Sequence, residues 1–127
     1  MASPANCRYS ESHEWFRVDG STVTIGITKF AADELTDITY VEMKPAGTKI
    51  AAGGSVGEVE SVKTTSDIYS AIAGTVVEVN ADAVKDPSLV NNDSFGRGWL
   101  IKVQCSDTSP LERLMDAATY DKKNAGH

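Results

Sequence analysis

Polar and apolar residues alternate most regularly in "STVTIGIT" (Ser21–Thr28). Val23, Ile25 and Ile27 fall on one face, and Thr22, Thr24 and Gly26 on the other. A period of two with one apolar face predicts a half-buried strand. "DITYVEM" (Asp37–Met43) reads the same way, followed by strands over Val56–Val62, Ile68–Ile72, Thr75–Val79 and Trp99–Val103. Asp19-Gly20, Gly53-Gly54, Gly74 and Gly96-Arg97-Gly98 punctuate them as turns. Many short strands at close spacing predict a small sandwich or barrel.

Two stretches depart from that period. "TKFAADEL" predicts a short helix capped by Thr28 that buries Phe30, Ala31 and Leu35. Nearer the C-terminus, Ser109 as N-cap, Pro110 at the first position and Glu112 completing a capping box predict a helix. Its apolar face would be Leu111, Leu114, Met115 and Ala118. "DPSLVN" adds one turn around Asp86–Val90, and the ends, Met1–Asn6 and Lys122–His127, read as frayed. One domain spanning 1–127 is expected, with its core at about 9–120.

Composition narrows the function classes. A net charge of −6 argues against nucleic acid, whose phosphates need a basic surface. No apolar run reaches the length of a membrane span, and the N-terminus carries neither a secretory nor an organellar leader pattern. With Met1 in place the cytoplasm is expected, the matrix of an organelle being the alternative if a presequence has been removed. Cys7 and Cys105 are too few and too far apart for a disulfide framework, and His13 and His127 have no metal-ligand spacing.

One lysine stands out by its setting. "ESVKTTSD" (Glu60–Asp67) places Lys63 among small and hydroxyl-bearing residues between two apolar runs. Val59 and Val62 before it, and Ile68 and Ile72 after it, predict a hairpin whose connection is Lys63–Ser66. Gly47 and Gly74 read as turns closing the flanking strands. The lysine would then project from an unobstructed tip. By composition alone such an amine is an ordinary solvated lysine.

The motifs around it change that reading. "SHEW" (Ser12–Trp15), "VTIGIT" (Val23–Thr28), "ESVK" (Glu60–Lys63), "SDIYS" (Ser66–Ser70), "GTVVEVN" (Gly74–Asn80) and "GWLIKV" (Gly98–Val103) follow in order. Together they resemble the glycine cleavage system H protein family over about Tyr9–Tyr120. The resemblance implies a mainly β lipoyl-domain fold, a barrel-sandwich hybrid of two small antiparallel sheets with short helices and a C-terminal helical extension. It implies lipoate joined by an amide to Lys63. Thr64-Thr65 and Ala71 depart from the family's common Ala and Pro, at the tip and in the strand leaving it.

Further expectations follow from the resemblance. The protein would be a carrier that catalyses no step alone. It would take the aminomethyl group of glycine from a pyridoxal-phosphate glycine decarboxylase to a tetrahydrofolate-dependent aminomethyltransferase. A flavin dihydrolipoyl dehydrogenase would then reoxidise the arm, and a lipoate ligase or lipoyltransferase would install it. The arm would reach about 14 Å from the backbone and present its cargo at an effective concentration in the mM range. Its five-membered ring forces the disulfide dihedral away from about 90°, which eases opening.

An aminomethyl thioether is lost when its amine is neutral, because the nitrogen lone pair expels sulfur. A protonated amine in a dry cleft survives. The positions matching the family's cleft are Ser12, Glu14 and Asp67, with Glu14 and Asp67 holding the ammonium and Ser12 assisting. Without the resemblance these are surface acids and a turn residue. Glu60 matches a glutamate recognised by lipoyl-attaching enzymes; on its own it reads as a charge that discourages edge pairing. Trp15, Trp99 and Phe30 read as core aromatics, and His13 as structural or surface-polar.

Other readings remain open at this point. They are a lipoate-relay or non-lipoylated relative acting by interaction, and a biotin or 2-oxoacid dehydrogenase carrier domain; for the carrier reading itself a monomer is expected. Biotin domains flank their lysine with methionines, where this chain has Val62 and Thr64; 2-oxoacid carriers show Asp-Lys-Ala within longer chains. A thiol enzyme using Cys7 or Cys105 with His13 has no supporting motif.

Overall fold

The computed structural model describes residues 3–124. In chain order its elements are β1 (Arg8–Tyr9), β2 (Glu14–Asp19), β3 (Thr22–Ile27), α1 (Lys29–Leu35), β4 (Ile38–Met43) and β5 (Lys49–Ile50). Then come β6 (Ser55–Ser61), β7 (Thr65–Tyr69), β8 (Gly74–Val79), α2 (Ala81–Lys85), α3 (Ser88–Asn92) and β9 (Ile101–Gln104). A 3₁₀ turn (Ser109–Arg113) and α4 (Ala117–Lys123) complete it. The strands form two antiparallel sheets, a six-stranded one ordered β1-β2-β3-β9-β8-β5 and a three-stranded one ordered β4-β6-β7. The mainly β architecture predicted is present, as two open sheets rather than a closed barrel.

The larger sheet is covered on both faces. Phe16, Val23, Ile25, Ile101 and Val103 are inward-facing cross-strand neighbours in the main core, which Val41, Val56, Val59 and Ile68 of the smaller sheet complete. Tyr9, Trp15 and Tyr120 build a second cluster with Cys7 on the opposite face. This corrects the half-buried reading of β3. Thr24 is buried, and Gly26 lies beneath the Trp15 indole, where an added Cβ would sit 2.6 Å from ring carbons.

Other expectations shift for physical reasons. Thr28 caps α1 as predicted, accepting the Ala31 N–H at 3.1 Å, but Ala32 is the residue fully buried and Phe30, Ala31 and Leu35 are half-buried. β1, β2, β5 and α2 were not predicted, and β7 runs Thr65–Tyr69 rather than reaching Ile72. Gly47 makes the predicted turn at a φ of 94°. Gly74 instead begins β8, where a Cβ would lie 2.2 Å from the Gln104 carbonyl oxygen.

The predicted C-terminal helix is divided. Ser109 is not a cap; its N–H donates to Asp107 Oδ1, and the 3₁₀ turn ends at Arg113. Leu114 is extended so that Met115 can exchange two backbone hydrogen bonds with Tyr9, at 2.9 and 3.0 Å. α4 then starts afresh behind Asp116, whose side chain accepts the Thr119 N–H. Tyr120 is its buried residue and Ala118 is exposed. Of the ends expected to fray, Ser3 is tied to Asp121 through its N–H and hydroxyl, while Met1, Ala2 and Ala125–His127 lie outside the described residues.

Candidate functional site

Lys63 sits at the apex of the β6–β7 hairpin, between Val62 and Thr64 in a three-residue connection. No glycine is needed there because Ser61 ties the turn. Its Oγ accepts the N–H groups of Lys63 and Thr64, both at 3.1 Å, and its N–H donates to the Thr64 carbonyl at 2.8 Å. Thr65 and Ser66, expected in the connection, already belong to β7. The Val62 N–H donates to the Asp37 carbonyl and anchors the tip to the α1–β4 connection. Val62 itself is 68% exposed beside the lysine.

The amine does not stand free in solvent as predicted. Lys63 Nζ donates to the Glu34 carbonyl oxygen at 3.1 Å, in the last turn of α1. Helix C-terminal carbonyls lack intrahelical partners and attract cations, which explains the docking. The side chain remains exposed, so this contact holds it only lightly.

Glu14 is the other focus. Glu14 pairs with Ile27 and shares the core-facing side of β2 with Phe16, so its side chain points between the sheets and is 1% exposed. A carboxylate can occupy that position because donors surround it. Oε1 accepts the hydroxyls of Ser10 and Ser12, each at 2.5 Å, and Oε2 accepts the Tyr69 N–H at 3.1 Å. β7 pairs only with β6, so that N–H faces outward from the free edge of the smaller sheet. Glu14 therefore bridges the two sheets at the hairpin's open side.

Asp67 stands two residues before Tyr69 on the same strand, on its solvent-facing side. The Tyr69 hydroxyl donates to Asp67 Oδ2 at 3.4 Å. Asp67 lines a groove of about 360 Å³ with Met43, Pro45, Ser55 and Glu58. Glu42, Glu58 and Asp67 are cross-strand neighbours, three like charges in one row. Such neighbours repel, so the row is unfavourable for folding on its own. Glu60 lies one pair from the tip, opposite Thr65, whose hydroxyl reaches Oε1 at 3.5 Å.

Ser12 and Glu14 are thus in direct contact, Asp67 flanks the same edge, and Glu60 stands apart beside the lysine. Ser10, Ser61 and Tyr69 were missed. The Ser-x-x-Thr spacing at Ser61–Thr64 is a side-chain turn signal and could have revealed the locked tip. Ser10 and the Tyr69 N–H contribute through long-range folding, for which the local pattern carries no signal. Among the described residues, no buried side-chain nitrogen or oxygen lacks a partner, and no group of three or more His, Cys, Asp or Glu is arranged to hold a metal ion. No helix among them is long and apolar enough to cross a membrane.

Comparison with known proteins gives a consistent result. The family model described as "Glycine cleavage H-protein" matches residues 7–126. The "Glycine cleavage system H protein" of Carboxydothermus hydrogenoformans is 46% identical over 119 residues, covering 94% of this chain and 92% of that one. The "Glycine cleavage system H protein 2, mitochondrial" of Arabidopsis thaliana is 48% identical over 115 residues, covering 91% of this chain and 74% of that one. A crystal structure of a glycine cleavage system H protein from Mycobacterium marinum superposes with a TM-score of 0.87 at 37% identity, covering 96% and 98% of the two chains.

Proposed function

This chain belongs to the glycine cleavage H-protein family, and from that premise we propose that it is a lipoyl carrier of the glycine cleavage system with Lys63 as the attachment residue. The observation that carries the reading is the lysine's place at a tip whose backbone is fixed by Ser61 and whose side chain is exposed. An attaching enzyme needs an amine on a rigid, accessible turn, and Lys63 leaves only one weak contact, to the Glu34 carbonyl, when it is acylated. Acylation also removes the positive charge that holds that contact. The arm is then released from α1.

The residues fit the group. Bound lipoate would supply a strained disulfide that accepts an aminomethyl cargo and two electrons. The chain's own part is to hold the arm within reach of three active sites and to protect the cargo between them. Glu14 has a free lone pair on Oε2 beyond the Tyr69 N–H, and Asp67 presents a carboxylate along the same edge. Both keep a nearby ammonium protonated, and the position of Glu14 between the sheets limits water. Ser12 and Ser10 hold the Glu14 carboxylate in that orientation.

Within this reading the protein catalyses no step alone. It passes cargo from the glycine decarboxylase to the aminomethyltransferase, and electrons to the dihydrolipoyl dehydrogenase. Glu60, exposed one residue pair from the tip, faces the attaching enzyme. The direct test is intact mass after incubation with lipoate ligase, ATP and lipoate. Gain of one lipoyl group by wild type and none by Lys63→Arg supports the reading; no gain by folded wild type removes it.

A further inference from the structure

His13 lies between Ser12 and Glu14 in the chain, and its backbone is in the left-handed region at a φ of 71°. A residue with a Cβ is rarely found there, and it stays only where its surroundings fix it. The Thr28 N–H donates to the His13 carbonyl at 2.9 Å, and the His13 N–H donates to the Ser10 carbonyl at 3.1 Å. On the side-chain side the ring packs on Phe30 at 4.7 Å between centroids. Nδ1 lies 2.7 Å from the Tyr120 hydroxyl.

Tyr120 comes from α4, more than a hundred residues along the chain, and is 2% exposed. Its ring stacks on Tyr9 at 4.8 Å, and its hydroxyl is also 2.7 Å from Thr28 Oγ1. That same Thr28 oxygen caps α1 by accepting the Ala31 N–H. One phenol thus joins α4, the start of α1 and the turn that brings the Ser10 and Ser12 hydroxyls onto Glu14. The Tyr9–Met115 bridge keeps α4 where the phenol can reach.

We propose that Tyr120 is a positioning residue for the Glu14 carboxylate, acting through His13 to hold the left-handed turn that converges Ser10 and Ser12 on Oε1. The role in cargo protection rests on the reading of Glu14 given above. In this arrangement the C-terminal helix sets the orientation of the acid that faces the cargo. Loss of the hydroxyl removes the contact at His13 Nδ1 and lets the Ser10–Glu14 turn relax. Glu14 then loses its fixed hold on the Tyr69 N–H.

The experiment compares Tyr120→Phe with Tyr9→Phe. The second removes a hydroxyl from the same ring stack, one that donates to the Pro4 carbonyl and does not touch His13. The first readout is hydrogen exchange of the Tyr69 amide in the unmodified protein, by NMR. Exchange should be about fivefold faster or more in Tyr120→Phe, the factor one net hydrogen bond is worth, and unchanged in Tyr9→Phe. His13→Ala, which loses the phenol contact and has no preference of its own for the left-handed backbone, should reproduce Tyr120→Phe. Equal Tyr69 exchange in Tyr120→Phe and Tyr9→Phe overturns the proposal. The second readout is the rate at which the loaded protein loses its cargo, with Glu14→Gln alongside. Faster loss in both Tyr120→Phe and Glu14→Gln supports the positioning role in full. Faster Tyr69 exchange with cargo loss unchanged even in Glu14→Gln supports the positioning of Glu14 and instead removes Glu14 as the cargo's counter-ion.

Discussion

Replacing Glu14 by glutamine separates its charge from its place in the fold. The carboxylate accepts three hydrogen bonds, from Ser10, Ser12 and the Tyr69 N–H. A glutamine fits the same space. With its amide oxygen toward the Tyr69 N–H, its NH2 group donates to the two serine oxygens once their hydroxyls rotate. All partners stay satisfied, so the expected loss is under about 1 kcal/mol, or within about 3–4 °C of Tm for a domain of this size. Glu14→Ala instead strands the Tyr69 N–H and removes the link between the sheets. That costs about 2 kcal/mol, or about 6–8 °C.

The effect on the cargo runs the other way. A hydrogen bond to a charged acceptor is worth about 1 kcal/mol more than one to a neutral acceptor, so losing the charge in Glu14→Gln lowers the ammonium's pKa by somewhat under one unit. Cargo is lost through the neutral amine, so in Glu14→Gln the loss at neutral pH should be about fivefold faster. The difference must vanish at alkaline pH, where the amine is neutral in both proteins. The assay loads each lipoylated protein with glycine and the decarboxylase, isolates it, and follows release of formaldehyde and ammonia against pH. Equal rates at neutral pH, or a glutamine variant as unstable as the alanine one, would refute the reasoning.

Three further outcomes follow from the packing. Gly26→Ala drives a methyl to within 2.6 Å of the Trp15 ring and threatens the Trp15 Nε1 bond to the Ser94 carbonyl. Overpacking and the weakened bond should together cost about 2–4 kcal/mol by urea denaturation; a neutral result would mean that the indole is free to move. Burial raises the phenol pKa of Tyr9 and of Tyr120. Both rings favour the neutral form when folded, so their stabilisation is complete below the ordinary tyrosine range and is lost as pH rises through the folded values. Phenolate absorbance from these two rings should therefore appear together with the loss of circular dichroism, not before it. Cys7 and Cys105 are both buried, and burial pushes the Cys7 thiol up, so neither should react with a disulfide reagent at neutral pH until the protein unfolds.

The sequence carried the local half of the structure. Alternation placed β3, β4, β6 and β8 because their apolar faces meet a core on at least one side. It could not announce that Thr24 and Gly26 are buried too; Gly26 lies under the Trp15 indole, which the neighbouring strand brings. The capping pattern at Ser109–Glu112 was overruled because Met115 gains two backbone bonds by pairing with Tyr9 of β1, which needs Leu114 extended. β1 and β5 have two residues each and are too short for any period to register.

The candidate site divides in the same way. Lys63, Glu60 and Asp67 lie within one hairpin, where the setting singled out the lysine and the roles of Glu60 and Asp67 came from the resemblance. Glu14 and Ser12 were placed by resemblance alone. Their physical basis, a core-facing acid hydrogen-bonded by two hydroxyls and a strand-edge N–H, depends on the meeting of two sheets. The link through His13 to Tyr120 spans 107 positions and has no local signature.

The proposed role of Lys63 is to carry the aminomethyl group of glycine. Exchange of labelled bicarbonate into glycine, catalysed by the decarboxylase, tests it most directly. Exchange is expected with ligase-treated wild type, none with the untreated protein, and none with Lys63→Arg treated in the same way. Exchange supported by Lys63→Arg, or its absence with wild type shown by mass to carry one lipoyl group, would contradict it.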